Sequence, residues 1–194
     1  MSAAVALPGA VREQTARSVV RAAAFLRAGQ LAIWLWVPVV YGIARLPPVV
    51  LIGYLLAMVW TAVLFTAALR INDVTTRWVL ADVAVAVACA VIVSRAFPAG
   101  QAASPRNWVL GPICGVGVTC AFFASRWIAA WSVGAIAIAW MAGTWPDIGS
   151  AGAILVLSGC AVIVVFSLVA ALAARVLFRA ATQADQAAAA ALEA

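Results

Sequence analysis

The chain has 194 residues, 68% of them hydrophobic and only 9% charged, with a net charge of +6 and no histidine. A water-soluble domain carries about a quarter charged residues, so this composition leaves no polar surface to cover a core in water. The bilayer is therefore expected as the solvent for most of the chain. All twelve cations are arginines scattered singly at the ends of apolar runs, the distribution of topology signals rather than of a nucleic-acid patch.

Residues 1–27 read as a basic arm carrying Arg12, Arg17, Arg21 and Arg27. They do not form a cleavable signal peptide, because the apolar run follows the arginines and no small-residue cleavage site comes after it. Residues 1–11 are expected to be disordered. In SVVRAAAFLRA, Val19, Val20, Ala23 and Leu26 fall on one side of a helix and the arginines elsewhere, which predicts an arm lying along the cytoplasmic leaflet.

A spanning helix needs about 20 mainly apolar residues. Stretches 28–44, 48–69, 78–97, 107–125, 127–145 and 151–174 meet that description, so the predicted fold is an all-α membrane domain of six helices over 28–174. The first is the shortest and contains Pro38. The breaks read RLPP, RINDVTTR, PAGQAASPR, Arg126 alone and PDIGS. Residues 175–194 then form a cytoplasmic helical linker.

Arginine counts fix the direction. One side holds Arg12, Arg17, Arg21, Arg27, Arg70, Arg77, Arg126, Arg175 and Arg179; the other holds Arg45, Arg95 and Arg106. This bias places both termini in the cytoplasm of a multi-pass protein of the plasma (inner) membrane. Trp78, Trp108, Trp127 and Trp145 lie near span ends, where interfacial aromatics belong. The outward connections are too short to fold as domains, so any stimulus must be met by short loops or within the bilayer.

Charge inside a span flags a functional site, and Asp82 in RWVLADVAVAV is the candidate. It lies one turn beyond Trp78, within expected reach of Arg77 or Arg70. Two readings stand side by side: an ion pair or protonatable switch, and a carboxylate that simply pins the third span to the second. Asn72 and Asp73 fit a tight turn. Arg95 and Arg106 flank an outward loop, where snorkelling is ordinary. Gly111 and Gly115 stand at GxxxG spacing, with Gly117 beside them, and predict close helix packing.

Cys89, Cys114, Cys120 and Cys160 lie in apolar runs without a CxxC pair and fit small buried residues. Without histidine, paired carboxylates or a metal-ligand set, no cofactor and no metal are expected, and no catalytic constellation is visible. No internal similarity marks the halves as inverted repeats.

The runs RAAAFLRAGQLAIWLWVPVVYGIA, WTAVLFTAALR and RWVLADVAVAVACAVIV, followed by the tail RVLFRAATQADQAAAAALEA, resemble the polytopic membrane domain of actinobacterial sensor histidine kinases. The resemblance covers most of the chain but lacks the phosphoacceptor histidine and the ATP-binding motifs. It implies a sensor whose last span runs into an output helix, either as part of a longer kinase or as a stand-alone partner. Nine of residues 176–194 are alanine, the strongest helix former. Leu177, Ala181, Ala184, Ala188 and Ala191 make a weak 4,3,4,3 seam that, with the resemblance, points to a homodimer. Arg175 and Arg179 open this output helix. The expected function is thus a non-catalytic signal-input module acting on a cytoplasmic kinase domain and, indirectly, a response regulator. The rival expectation is a small membrane carrier or an accessory subunit of a transport complex, using Asp82 and span-end arginines as substrate contacts. The orientation is tested by reporter fusions after Ala191: green fluorescent protein should fluoresce there and alkaline phosphatase should stay inactive. The opposite pattern would reverse the topology.

Overall fold

The computed structural model of the protein describes residues 10–35, 47–71, 75–98, 100–104, 107–151 and 153–193. The remainder of the first expected span beyond Leu35, including Pro38, lies outside the described residues, as do Arg45, Asn72, Asp73, Arg106 and the first nine residues. Among the described residues there are helices and connections but no strand.

The helices are α1 (Ala10–Trp34), α2 (Pro48–Ile71), α3 (Thr76–Ala88), α4 (Leu110–Phe123), α5 (Arg126–Thr144), the short α6 (Ile148–Ala151) and α7 (Ala153–Glu193). Their ends follow local chemistry. Pro48 opens α2, where its fixed φ suits the first helical position and its missing N–H costs nothing. Ser125 caps α5, its hydroxyl accepting the Ile128 N–H at 3.4 Å. Trp145–Asp147 forms a tight 3-10 turn around Pro146 that turns the chain out of α5. No proline occurs within α7, so nothing forces its 41 residues to break.

Among the described residues four helices are long and apolar enough to cross a membrane: Pro48–Arg70, Thr76–Val93, Arg126–Asp147 and Ala153–Ala191. The fourth expected span contracts to α4, whose 14 residues cover about 21 Å. The rest of that stretch is non-helical, Asn107–Val109 at its start and Ala124 and Ser125 at its end. The outward surface is apolar, with Ile154 81% and Trp131 78% exposed. Such a surface fits hydrocarbon and would be an interaction liability in water.

The arm is not a separate element. α1 runs unbroken through Arg27, packing on α2 and α7. Its buried face is Val20 and Ala24, set against Ala68, Phe65 and Phe123, while Leu26 points outward at 62% exposure. The Val11 N–H, one of the unpaired donors of a first helical turn, donates to Asp185 Oδ1 of α7 at 3.1 Å. α1 and the tail of α7 therefore lie side by side and antiparallel. The end of the bundle where they meet is its basal end, and the opposite end is apical.

The core is built around Trp140, Ile113, Ile136, Ile163, Val50 and Val79, all fully buried. α3 widens into a π turn over Cys89–Val93. Glycines from two neighbours receive it: a Cβ at Gly143 of α5 would overlap the Ala90 carbonyl oxygen, and one at Gly53 of α2 would overlap Val93. Trp108, expected in an interfacial belt, is instead a core residue, 6% exposed and edge-on to Tyr54 at 5.5 Å. Trp127 and Trp145 do face outward.

Gly143→Ala should destabilise the fold by about 1–3 kcal/mol, since backbone rather than a flexible side chain blocks the new methyl. Gly134→Ala in the same helix has open space and should be neutral or stabilising by up to about 1 kcal/mol. Thermal unfolding of the two purified variants in detergent checks the contrast.

Candidate functional site

Asp82 sits six residues into α3, about 9 Å from its basal start. It is 2% exposed, and its carboxylate meets Arg27 of α1, itself 7% exposed. Arg27 Nη2 donates to Asp82 Oδ2, while Trp60 Nε1 of α2 donates to Asp82 Oδ1 at 3.0 Å. Arg27 Nη2 also reaches Thr119 Oγ1 of α4 at 3.3 Å, and that hydroxyl donates to the Gly115 carbonyl at 3.0 Å. One charge pair thus ties four helices together.

The expected partners of Asp82 were Arg70 and Arg77. Both are exposed and neither pairs with it; the cation comes from the arm, 55 residues away. Charge-assisted bonds to both carboxylate oxygens offset the cost of desolvating the acid. Trp78 tilts against Trp60 at 6.2 Å and closes the site from the basal side. The space left beside Asp82 amounts to about 30 Å³ on one side and about 20 Å³ on the other. A water needs roughly 10–15 Å³ by such a measure, so the site admits one or two waters and nothing larger.

The glycines of α4 divide differently from the expected GxxxG pair. Gly115 lets Gln30 of α1 lie against the α4 backbone, because a Cβ there would strike the Gln30 amide. Gly117 does the same for Ser167 of α7, and Gly111 is exposed. Gln30 Oε1 is buried and has no hydrogen-bond partner among the described residues.

At the apical end a second polar cluster folds the connection between α3 and α4. Asp147, 2% exposed, accepts the Gly100 N–H at 2.8 Å and the Ala103 N–H at 2.9 Å. Gly100 takes a φ of 79°, which favours glycine. Asn107 donates to Ser94 Oγ at 2.8 Å and to the Ala102 carbonyl at 2.6 Å, and accepts the Val109 N–H at 3.1 Å. The sequence marked PDIGS and PAGQAASPRN as punctuation. Its signal was present all the same: a carboxylate and an amide in outward connections can satisfy backbone donors of a neighbouring loop.

The output seam is only partly free. Ala181 is 4% exposed and Ala188 half-buried, while Leu177 and Ala184 are exposed, as are Arg175 and Arg179. The expected dimer stripe therefore does not lie on one open face. Asp185, on the same side as Ala181 and Ala188, holds α1 of the same chain.

No family model, curated protein or solved structure matches the chain.

Removing one member of a buried ion pair costs about 3–5 kcal/mol because the other is left unpaired. Arg27→Ala and Asp82→Ala should each destabilise on that scale, and the double variant should fall short of their sum by about 1–3 kcal/mol. Pairing Asp82→Ala with Arg70→Ala or Arg77→Ala should be additive. Unfolding free energies in mixed micelles complete the cycles.

Proposed function

We propose that the chain is the signal-input module of a sensor histidine kinase. On this reading it is a six-span domain of the plasma membrane with both termini in the cytoplasm, paired as a homodimer. Its last helix carries rearrangements of the bundle to a cytoplasmic kinase domain, and so to a response regulator. The first span is then the second half of α1 with the residues that follow it, and α4 is the core of the fourth.

The observation that carries this reading is the unbroken length of α7. Its 41 residues rise about 61 Å, against about 30 Å for a hydrocarbon core. The apical half is rooted in the bundle through Val156 and Ile163, with 2% and 0% exposure. An unbroken helix passes shifts or rotations of the bundle to whatever it joins. The antiparallel contact of α1 with the projecting half adds a second route, since α1 also holds Arg27.

The carrier reading has less support. Its best substrate contact, Asp82, is already satisfied by Arg27 and Trp60, and the space beside it holds only water. Flux through liposomes that vanishes in Asp82→Asn and survives deletion of 184–194 would nonetheless favour it.

The signalling reading is tested by fusing a histidine-kinase dimerisation and catalytic core after Glu193 and removing one to seven residues, one at a time, from 186–192. Each deletion turns the output by about 100°. Autophosphorylation in membrane vesicles should rise and fall with helical periodicity and recover near the seventh deletion. Activity that ignores the phase of the helix would count against transmission through α7.

A further inference from the structure

A cavity of about 760 Å³ lies not at the ion pair but at the basal end, in a groove between α4, α5 and α7. Its walls are apolar, with Val133, Val164, Leu168 and Phe122 among them. Its mouth carries Arg126, Arg175 and Arg179, joined by Thr182 and Gln183, and among the described residues no carboxylate lines it. The two ion pairs among the described residues, Arg17–Glu13 and Arg27–Asp82, use none of these three arginines. The groove is also where α5 begins, so the first-turn N–H groups of a 19-residue helix add positive potential beside Arg126.

The dimensions match an amphiphile. From Arg126 to Val133 is seven residues, about 10 Å of rise, and from Arg175 back to Val164 is eleven, about 16 Å. A ligand with its charge at the arginines would have an apolar portion of that length between the helices. Hydrophobic walls under a ring of guanidinium groups suit a phosphate headgroup with an attached acyl chain, the guanidinium fork being matched to phosphate oxygens.

We propose that this groove is a binding site for one anionic phospholipid, its phosphate held by Arg126, Arg175 and Arg179 and an acyl chain lying against Val133, Val164 and Leu168. The lipid would bridge α5 to the projecting half of α7 through charge. The site stands whether or not α7 transmits a signal.

The full chain in detergent, titrated with dioleoylphosphatidylglycerol or dioleoylphosphatidylcholine and read by native mass spectrometry, tests this. The wild-type chain should retain the anionic lipid with about tenfold preference, the scale expected of arginines near a headgroup. The variant R126Q/R175Q/R179Q should lose the preference. The variant R21Q/R70Q/R77Q removes the same charge from exposed positions at the basal end and should keep it. Ala130→Trp, which fills the groove without changing charge, should lower retention of the anionic lipid. Equal loss in both triple variants would mean diffuse attraction and overturn the site. So would displacement of the lipid by millimolar inorganic phosphate, which would make it a free-anion site. Disulfide capture of two copies through Ala130→Cys, with no lipid retained, would make the groove an interface between copies and overturn it too.

Discussion

A carboxylate and a guanidinium cannot be left apart in an apolar bundle, and the arrangement of the basal half follows from bringing them together. Each ion would cost several kcal/mol to desolvate alone. Asp82 is therefore surrounded until both of its oxygens are bonded, one to Arg27 and one to Trp60. Satisfying the pair draws α1, α2 and α3 to one point, and the Thr119 hydroxyl brings in α4. Gly115 then becomes necessary, because Gln30, one turn beyond Arg27, must pass close to the α4 backbone. The chain of dependence runs from charge to helix convergence to a small residue.

The same pair decides what the basal arm does. With Arg27 anchored inside the bundle, α1 cannot lie flat along a surface and must continue on its own axis toward residue 10. Its first turn reaches α7, where Asp185 accepts the Val11 N–H. The two helices pack on each other over this end of the bundle. The basal part of α7 has a partner within its own chain. A second copy would therefore have to pack on what remains open, the side of Leu177 and Ala184, rather than on the whole alanine stripe.

The helical fold, the four membrane-length helices among the described residues and the singular position of Asp82 were legible in the sequence, because each rests on local composition. Its partner was not. Arg70 and Arg77 were favoured by closeness along the chain, but five residues in a helix turn the direction by about 140°, which points Arg77 away from Asp82. The better clue was phase: Val20, Ala24 and Arg27 follow a 4,3 spacing, so the arginine shares the buried face. Assigning Leu26 to that face by its hydrophobicity hid this, since in an apolar solvent a leucine is as content outside as in. Trp108 misled for the same reason, and Asp147 was passed over because a short polar loop looks alike whether open or clamped.

Counting arginines by side treats them as equivalent, yet their neighbours give them different work. Arg27 is a structural ion, and removing it from the tally leaves eight against three, so the orientation argument does not depend on it. Arg70 and Arg77 sit exposed at the ends of α2 and α3, where a cation favours one side of the membrane and needs no partner. Arg126, Arg175 and Arg179 are exposed as well, but they converge over one apolar groove. What separates these groups is the distance to the nearest carboxylate and to the nearest concavity, not position along the chain. An arginine that finds a carboxylate in the bundle holds helices together, and one that finds neither partner nor cavity sets topology. Three that meet at a cavity with no carboxylate among its described lining leave a positive charge suited to an anionic ligand.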